Sequence, residues 1–324
     1  MTRECLSEAG TVDVDAAVRR MDGLCQLPVL DCGRTPEGYH VRAVYGAPAS
    51  EASFKAILGL GLLLLARERG DLFPGRPVVE SSSGSLGVGL AAAGRVLHHP
   101  VHVVTDANVP AASLAKMRAL GAITHLVTAP HAVLGFQEAR DRELDRLRRE
   151  HPDWYWTRQN DSDLNPEVYR RWLLPAIAPR LDLSTVAAGV FCVGSGGHFT
   201  AFAEHLRLHG IATYVAEREG SVTFGGRPGP SVLRGSGNQN RVPGVIRRAM
   251  DLVHGVHRVG DQEAIGAVRD LLVAGISAGG SSGVCLAAVR RLSAELPPPR
   301  QRTTILTFLP DRGEMYPTLL DPQE

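Results

Sequence analysis

Lysine is almost missing from this chain. Among 324 residues it occurs only at Lys55 and Lys116, while arginine is abundant. Arginine cannot stand in where a neutral, nucleophilic amine is needed, so each retained lysine is informative. Cysteine is also sparse. Cys5, Cys25, Cys32, Cys192 and Cys285 include no C-x-x-C pair, and their number is odd. That argues against a disulfide framework or a thiolate metal centre and fits a reducing cytoplasm. The twelve histidines contain no H-E-x-x-H spacing, so no metal is expected. Aromatic residues make up 5% and formal net charge is +1. With no basic stripe interleaved with aromatics, a nucleic-acid partner is not expected. The longest apolar run, residues 56–66, is too short to span a bilayer and predicts a buried helix. The opening MTRECLSEAG has no basic segment followed by an apolar one, so a cytoplasmic protein is expected.

What is present is alternation. The length suggests two lobes, and strand-like and helix-like stretches take turns, which predicts an α/β fold with mostly parallel sheets. Residues 76–80, 101–105, 185–193, 211–217 and 305–309 read as strands. Residues 87–97, 111–120, 140–150 and 200–209 read as helices. His98 and His99 mark a helix end. The 140–150 helix is so charged that it predicts a solvated face. Residues 225–240 are rich in Gly, Pro, Ser and Asn and predict a long loop, a common place for function. Residues 296–299 predict a linker.

Three constellations carry chemistry. Ala52-Ser53-Phe54-Lys55 puts a lysine at the start of the apolar helix, where burial disfavours the ammonium form. It is either a nucleophilic amine or a lysine whose stem lies along the helix start. Lys116 lies mid-helix and reads as a surface residue. Ser81-Ser82-Ser83-Gly84-Ser85-Leu86-Gly87 joins a strand to a helix and predicts an anion site at the helix N-terminus. Gly194-Ser195-Gly196-Gly197-His198-Phe199-Thr200 does the same and suits a phosphate. It lacks the G-x-G-x-x-G dinucleotide fingerprint. Gly275-Ile276-Ser277-Ala278-Gly279-Gly280-Ser281 echoes it.

In this order, from about residue 45 to Tyr316, the blocks resemble the cysteine-synthase and cystathionine β-synthase family of fold-type II pyridoxal-phosphate enzymes. Ser53-Phe54-Lys55 is similar to the family's S-x-K motif, and residues 80–87 to its substrate-carboxylate loop. Residues 193–200 resemble its phosphate cup, Gly275 to Gly279 the block facing the pyridine nitrogen, and residues 309–316 the terminal L-P-D-x-G-E-R-Y. The resemblance implies two α/β lobes with pyridoxal 5'-phosphate in the cleft. The smaller lobe would span 47–157, and the larger 1–46 plus 158–324. It also implies a homodimer acting on small amino acids.

The implied roles follow residue by residue. Lys55 would join the cofactor aldehyde and then act as the base at the substrate α-carbon. Gly194, Ser195, Gly196, Gly197 and His198 would hold the cofactor phosphate. Ser85 would stand near its ring oxygen and Ser277 at its ring nitrogen. Ser82, Ser83, Gly84, Leu86 and Gln159 would grip the substrate carboxylate. Tyr155 and Arg140 would meet the second substrate or a phosphate leaving group. Ser85-Leu86-Gly87, the stretch Gly220-Ser221-Val222-Thr223-Phe224-Gly225 with Arg241-Val242-Pro243, and Pro310-Asp311-Arg312-Gly313 resemble one branch of the family. That branch adds L-glutamate, through its amine, to O-phospho-L-serine on the way to 2,3-diaminopropionate in siderophore and antibiotic pathways.

The chain departs from the family pattern in places. Ser85 replaces an asparagine, and His198 a hydroxyl residue, so His198 either binds phosphate as an imidazolium or faces away. Ala56-Ile57 replaces an acid and an arginine, and Met315 an arginine. Q-F-A-N-P appears only as Gln159-Asn160-Asp161-Ser162-Asp163. Two alternatives stay open: sulfide as the nucleophile, giving cysteine, and a non-catalytic protein that uses the cleft for binding.

Overall fold

The computed structural model describes residues 13–47, 54–233 and 235–313. Ala52 and Ser53 of the lysine motif, and Met315 and Tyr316 of the terminal motif, lie outside these.

Two sheets organise the chain. The larger runs β1 (Val29–Arg34), β2 (His40–Tyr45), β10 (Thr304–Leu309), β7 (Val186–Cys192), β8 (Ala212–Arg218) and β9 (Gly255–Val259) in spatial order. Only β1 is antiparallel. The smaller runs β5 (Ile123–Val127), β4 (Val101–Asp106), β3 (Val78–Ser81) and β6 (Tyr155–Trp156), all parallel. The central strands are buried along their whole length, as in Thr304–Leu309 and Val101–Asp106. That is why they read as continuous apolar runs rather than alternating ones. The α/β character and the parallel pairing match the sequence expectation.

Crossover helices cover the sheets. They are α1 (Val14–Leu24), α2 (Lys55–Glu68), α3 (Ser85–Leu97), α4 (Ala111–Ala119), α5 (Gly135–Glu150), α6 (Leu164–Val168), α7 (Leu174–Ile177), α8 (Gly197–Leu208), α9 (Gly244–Arg248), α10 (Asp261–Val273) and α11 (Gly280–Glu295). Every residue of α2 from Ala56 to Ala66 is buried, as an apolar helix with no polar face requires. It crosses α3 at backbone contact. A Cβ on Gly59 would lie 2.5 Å from the Gly89 carbonyl carbon, and one on Gly89 would lie 2.5 Å from the Lys55 carbonyl oxygen. Glycine at both places lets the start of α2 lie against α3, whose N-terminus carries the serine-rich loop. Among the described residues, no helix is long and apolar enough to cross a membrane.

Parallel strands aim their C-terminal ends the same way, and ligands of open α/β sheets bind outside those ends. Here the turns after β3, β7 and β10 all border one cavity.

Candidate active site

Lys55 opens α2 and borders the central cavity. Its ammonium lies 5.0 Å from the centre of the Phe54 ring. Among the described residues no carboxylate pairs with it. Burial, offset only in part by the nearby Cys192, lowers its pKa to about 8. A reactive amine close to neutral pH results. Lys116, mid-way along α4, does not border this cavity.

Facing it is the turn from β3 to α3, and Ser82, Ser83, Gly84, Ser85 and Leu86 all border the cavity. Ser82 is buried and turned inward. Its N–H donates to the Val104 carbonyl, and its Oγ accepts from Gly84 N (3.2 Å) and Gly87 N (2.9 Å). Ser82 therefore shapes the turn from within. Below it lies Glu80, buried, which accepts from Thr157 Oγ1 (2.5 Å), Ser81 N (2.8 Å) and Gln159 N (3.0 Å). Burial raises its pKa against these four-square donors, Trp156 Nε1 included. Gln159 reaches back through Nε2 to the Ser81 carbonyl at 2.9 Å. Arg140 leaves the solvated face expected for its helix. It points into the cavity, with its guanidinium ion-paired to buried Asp106 and its Nε 3.4 Å from Ser81 Oγ.

The second turn, from β7 to α8, supplies Gly194, Ser195 and His198 to the same cavity. Gly196 takes φ +94°, and a Cβ on Gly197 would sit 1.8 Å from Asn165 Oδ1. The N-terminus of α8 thus offers bare backbone N–H groups and positive helix potential. Asn238 braces the turn, with Nδ2 donating to the Gly194 carbonyl (3.1 Å) and to Thr223 Oγ1 (3.1 Å). Ser221 Oγ accepts from Asn238 N at 3.1 Å.

A family profile described as "Pyridoxal-phosphate dependent enzyme" matches residues 51–311. The chain belongs to the family of pyridoxal-phosphate dependent enzymes. It is 34% identical over 250 residues to the N-(2-amino-2-carboxyethyl)-L-glutamate synthase of Ralstonia nicotianae, covering 76% of this chain and 72% of that one. Its fold is similar to that of the O-acetylserine dependent cystathionine β-synthase of Helicobacter pylori. The TM-score is 0.82, the identity 24%, and the match covers 92% of this chain and 96% of that one. The cysteine synthase of Entamoeba histolytica gives a TM-score of 0.82 at 23% identity, covering 92% and 88%. The fold-type II architecture expected from the sequence is the one observed.

The residues of this pyridoxal-phosphate enzyme fit the cofactor. A buried lysine at the cavity suits its aldehyde, and a glycine turn with no room for a Cβ at position 197 suits its phosphate. When bound, pyridoxal phosphate supplies an electron sink for bond breaking at the substrate α-carbon. Lys55 would then be placed to hold or move the proton at that carbon, and the helix ends would orient the anionic groups.

Four sequence expectations need adjusting. His198 is buried and neutral. Its ring packs on Phe54, Tyr169 and Phe308, and burial, then the nearby Lys55, pushes its pKa down to about 3. Burial among these rings disfavours an imidazolium. Tyr155 misses the cavity and borders a separate concavity with Arg69, Asp71 and Arg76. Alternation along β6 turns Trp156 toward Glu80 and Tyr155 away. Ser277 is half-buried, with its carbonyl bound by the Tyr45 hydroxyl, and its block enters the cavity wall through Ser281 instead. Gly196 and Gly197 shape the cup from behind without bordering the cavity.

Several residues of the site had gone unnoticed. Asp311 caps α11, accepting from Ser281 N (3.0 Å) and Ser282 N (3.1 Å), and borders the cavity. Its P-D-R-G setting was the available signal. Asp106, Gln137, Asp141, Cys192 and Asn238 had none, because nothing local distinguishes them.

Proposed function

We propose that the chain catalyses β-replacement on an O-activated L-serine, with O-phospho-L-serine as the activated substrate and an amine such as that of L-glutamate as the nucleophile. Arg140 carries this reading. A guanidinium fixed in the cavity by buried Asp106 suits a phosphate leaving group through charge-assisted hydrogen bonds. The similarity to a relative named for joining a 2-amino-2-carboxyethyl group to L-glutamate supports the same chemistry. The substrate carboxylate would lie on the turn of Ser83, Gly84 and Leu86 beside Gln159. Lys55 takes the α-proton, the Cβ–O bond breaks and phosphate departs. The amine nitrogen then bonds Cβ and loses a proton, and Lys55 returns a proton to Cα. The product belongs to 2,3-diaminopropionate-type biosynthesis. A cytoplasmic homodimer is part of the proposal, to be checked by light scattering.

The test supplies O-phospho-L-serine or O-acetyl-L-serine with L-glutamate or sulfide, and measures released phosphate and product mass. Phosphate release with a C–N product is expected. Lys55→Ala should lose the yellow colour and at least about a thousandfold in rate. Arg140→Gln should raise KM for phosphoserine about tenfold or more and leave acetylserine unaffected. Cysteine formed from acetylserine and sulfide, with no phosphate released, would overturn the reading. A colourless wild-type protein would revive the non-catalytic alternative.

A further inference from the structure

Asn165 lies in α6, is fully buried and does not border the cavity. Its amide nevertheless touches two residues that do, Gln159 and Ser195. Nδ2 lies 2.6 Å from the Gln159 carbonyl oxygen and 2.9 Å from Ser195 Oγ. A backbone carbonyl can only accept, so the atom beside it must be the amide nitrogen. The orientation of the side chain is thereby fixed, and both of its protons are assigned.

Two consequences follow. Ser195 Oγ receives one of those protons, which leaves the hydroxyl's own proton to point elsewhere, and Ser195 borders the cavity. The other proton holds Gln159, whose N–H rests on Glu80 and whose side chain holds the Ser81 carbonyl. An unbroken hydrogen-bonded chain runs from the carboxylate loop through Gln159 and Asn165 to the phosphate cup. Asn165 Oδ1 is buried with no hydrogen-bond partner. It sits where a side chain at position 197 would have to be, 1.8 Å from the Cβ that Gly197 lacks. Burying an unpaired acceptor is costly, and such a cost is tolerated where the amide's other end is needed.

We propose that Asn165 is a positioning residue that ties the substrate-carboxylate loop to the phosphate cup and turns the Ser195 hydroxyl proton toward the cofactor phosphate.

The test is a double-mutant cycle read on cofactor affinity, measured by equilibrium dialysis of the holoenzyme. Asn165→Ala and Ser195→Ala should each weaken pyridoxal-phosphate binding about tenfold, the scale of one hydrogen bond to a charged group. The double variant should be about as weak as either single one. Asn165→Asp keeps the shape and serves if the alanine variant does not fold. Its carboxylate would capture the Ser195 proton, weakening binding when Ser195 is present and adding nothing in Ser195→Ala. The phosphorus resonance of the bound cofactor should shift alike in Asn165→Asp and Ser195→Ala. KM for the amino-acid substrate should rise in the Asn165 variants through Gln159. Multiplying effects in the cycle, an unmoved phosphorus resonance, or an unchanged substrate KM would each overturn the proposal. A residue that merely fills space would lower the melting temperature and leave all three readouts alone.

Discussion

The two turns proposed to bind anions share one plan and differ in how they are held. Each joins a parallel strand to a helix: β3 to α3 for residues 82–84, and β7 to α8 for residues 193–196. The first is braced from inside, where one of its own serines, Ser82, takes the N–H groups of Gly84 and Gly87. The second is braced from outside by two asparagines remote in sequence, Asn165 behind Ser195 and Asn238 behind Gly194. A loop that meets different amino acids can be locally self-sufficient. A cup proposed for one resident phosphate is set from outside its own turn, and one of its braces, Asn165, does not border the cavity.

The sharpest way to break this comparison is Gly197→Ala. Its Cβ would collide with the Asn165 amide, and overpacking of this kind costs about 3 kcal/mol. A drop of that size in urea denaturation, with loss of bound cofactor, is expected. Unchanged stability would mean that the outer brace is not tight. Ser82→Ala tests the inner brace. Two buried N–H groups lose their acceptor, so stability should fall by about 1–2 kcal/mol. KM for the amino-acid substrate should rise while cofactor affinity holds, and a change in cofactor affinity alone would reverse the assignment of the two turns.

The smallest effect belongs to pH. The folded pKa of His198, about 3, lies below its ordinary 6.5. Between those values the unfolded chain binds a proton that the folded chain refuses, so this group withdraws stability as pH falls from 6.5 toward 3. His198→Gln should flatten the acid limb of a stability–pH profile in that window. Profiles of equal slope would show that the cup carries no such penalty.

How much could be read in advance follows the same division. Buried parallel strands and the all-apolar α2 announce themselves through continuous hydrophobic runs, and both turns through strand–glycine–helix order. The strands β1, β2 and β9 and the helices α1, α10 and α11 did not. The edge strand β1 carries Asp31 and Gly33 and buries none of its residues. Helix α11 opens with Gly280-Ser281-Ser282-Gly283, which reads as loop until Asp311 is seen capping it. Only the family resemblance put Arg140 near the substrates, since six of its charged neighbours on α5 do face water. Only Asp106, 34 positions away, shows that this one does not. Tyr155 lies off the cavity for a related reason: sequence order places a residue near a site but not the direction of its side chain. Gly220 to Gly225, singled out as a branch likeness, now has a physical role, since Ser221 and Thr223 hold Asn238.

The close crossing of α2 and α3 has a mechanical corollary. Because Gly89 rests on the carbonyl of Lys55 itself, the reactive amine and the turn that would receive the substrate travel as one piece. Any shift of the smaller sheet against the larger would keep the Lys55 amine in step with the serine-rich turn. What would change is the distance from that turn to the glycine turn after β7.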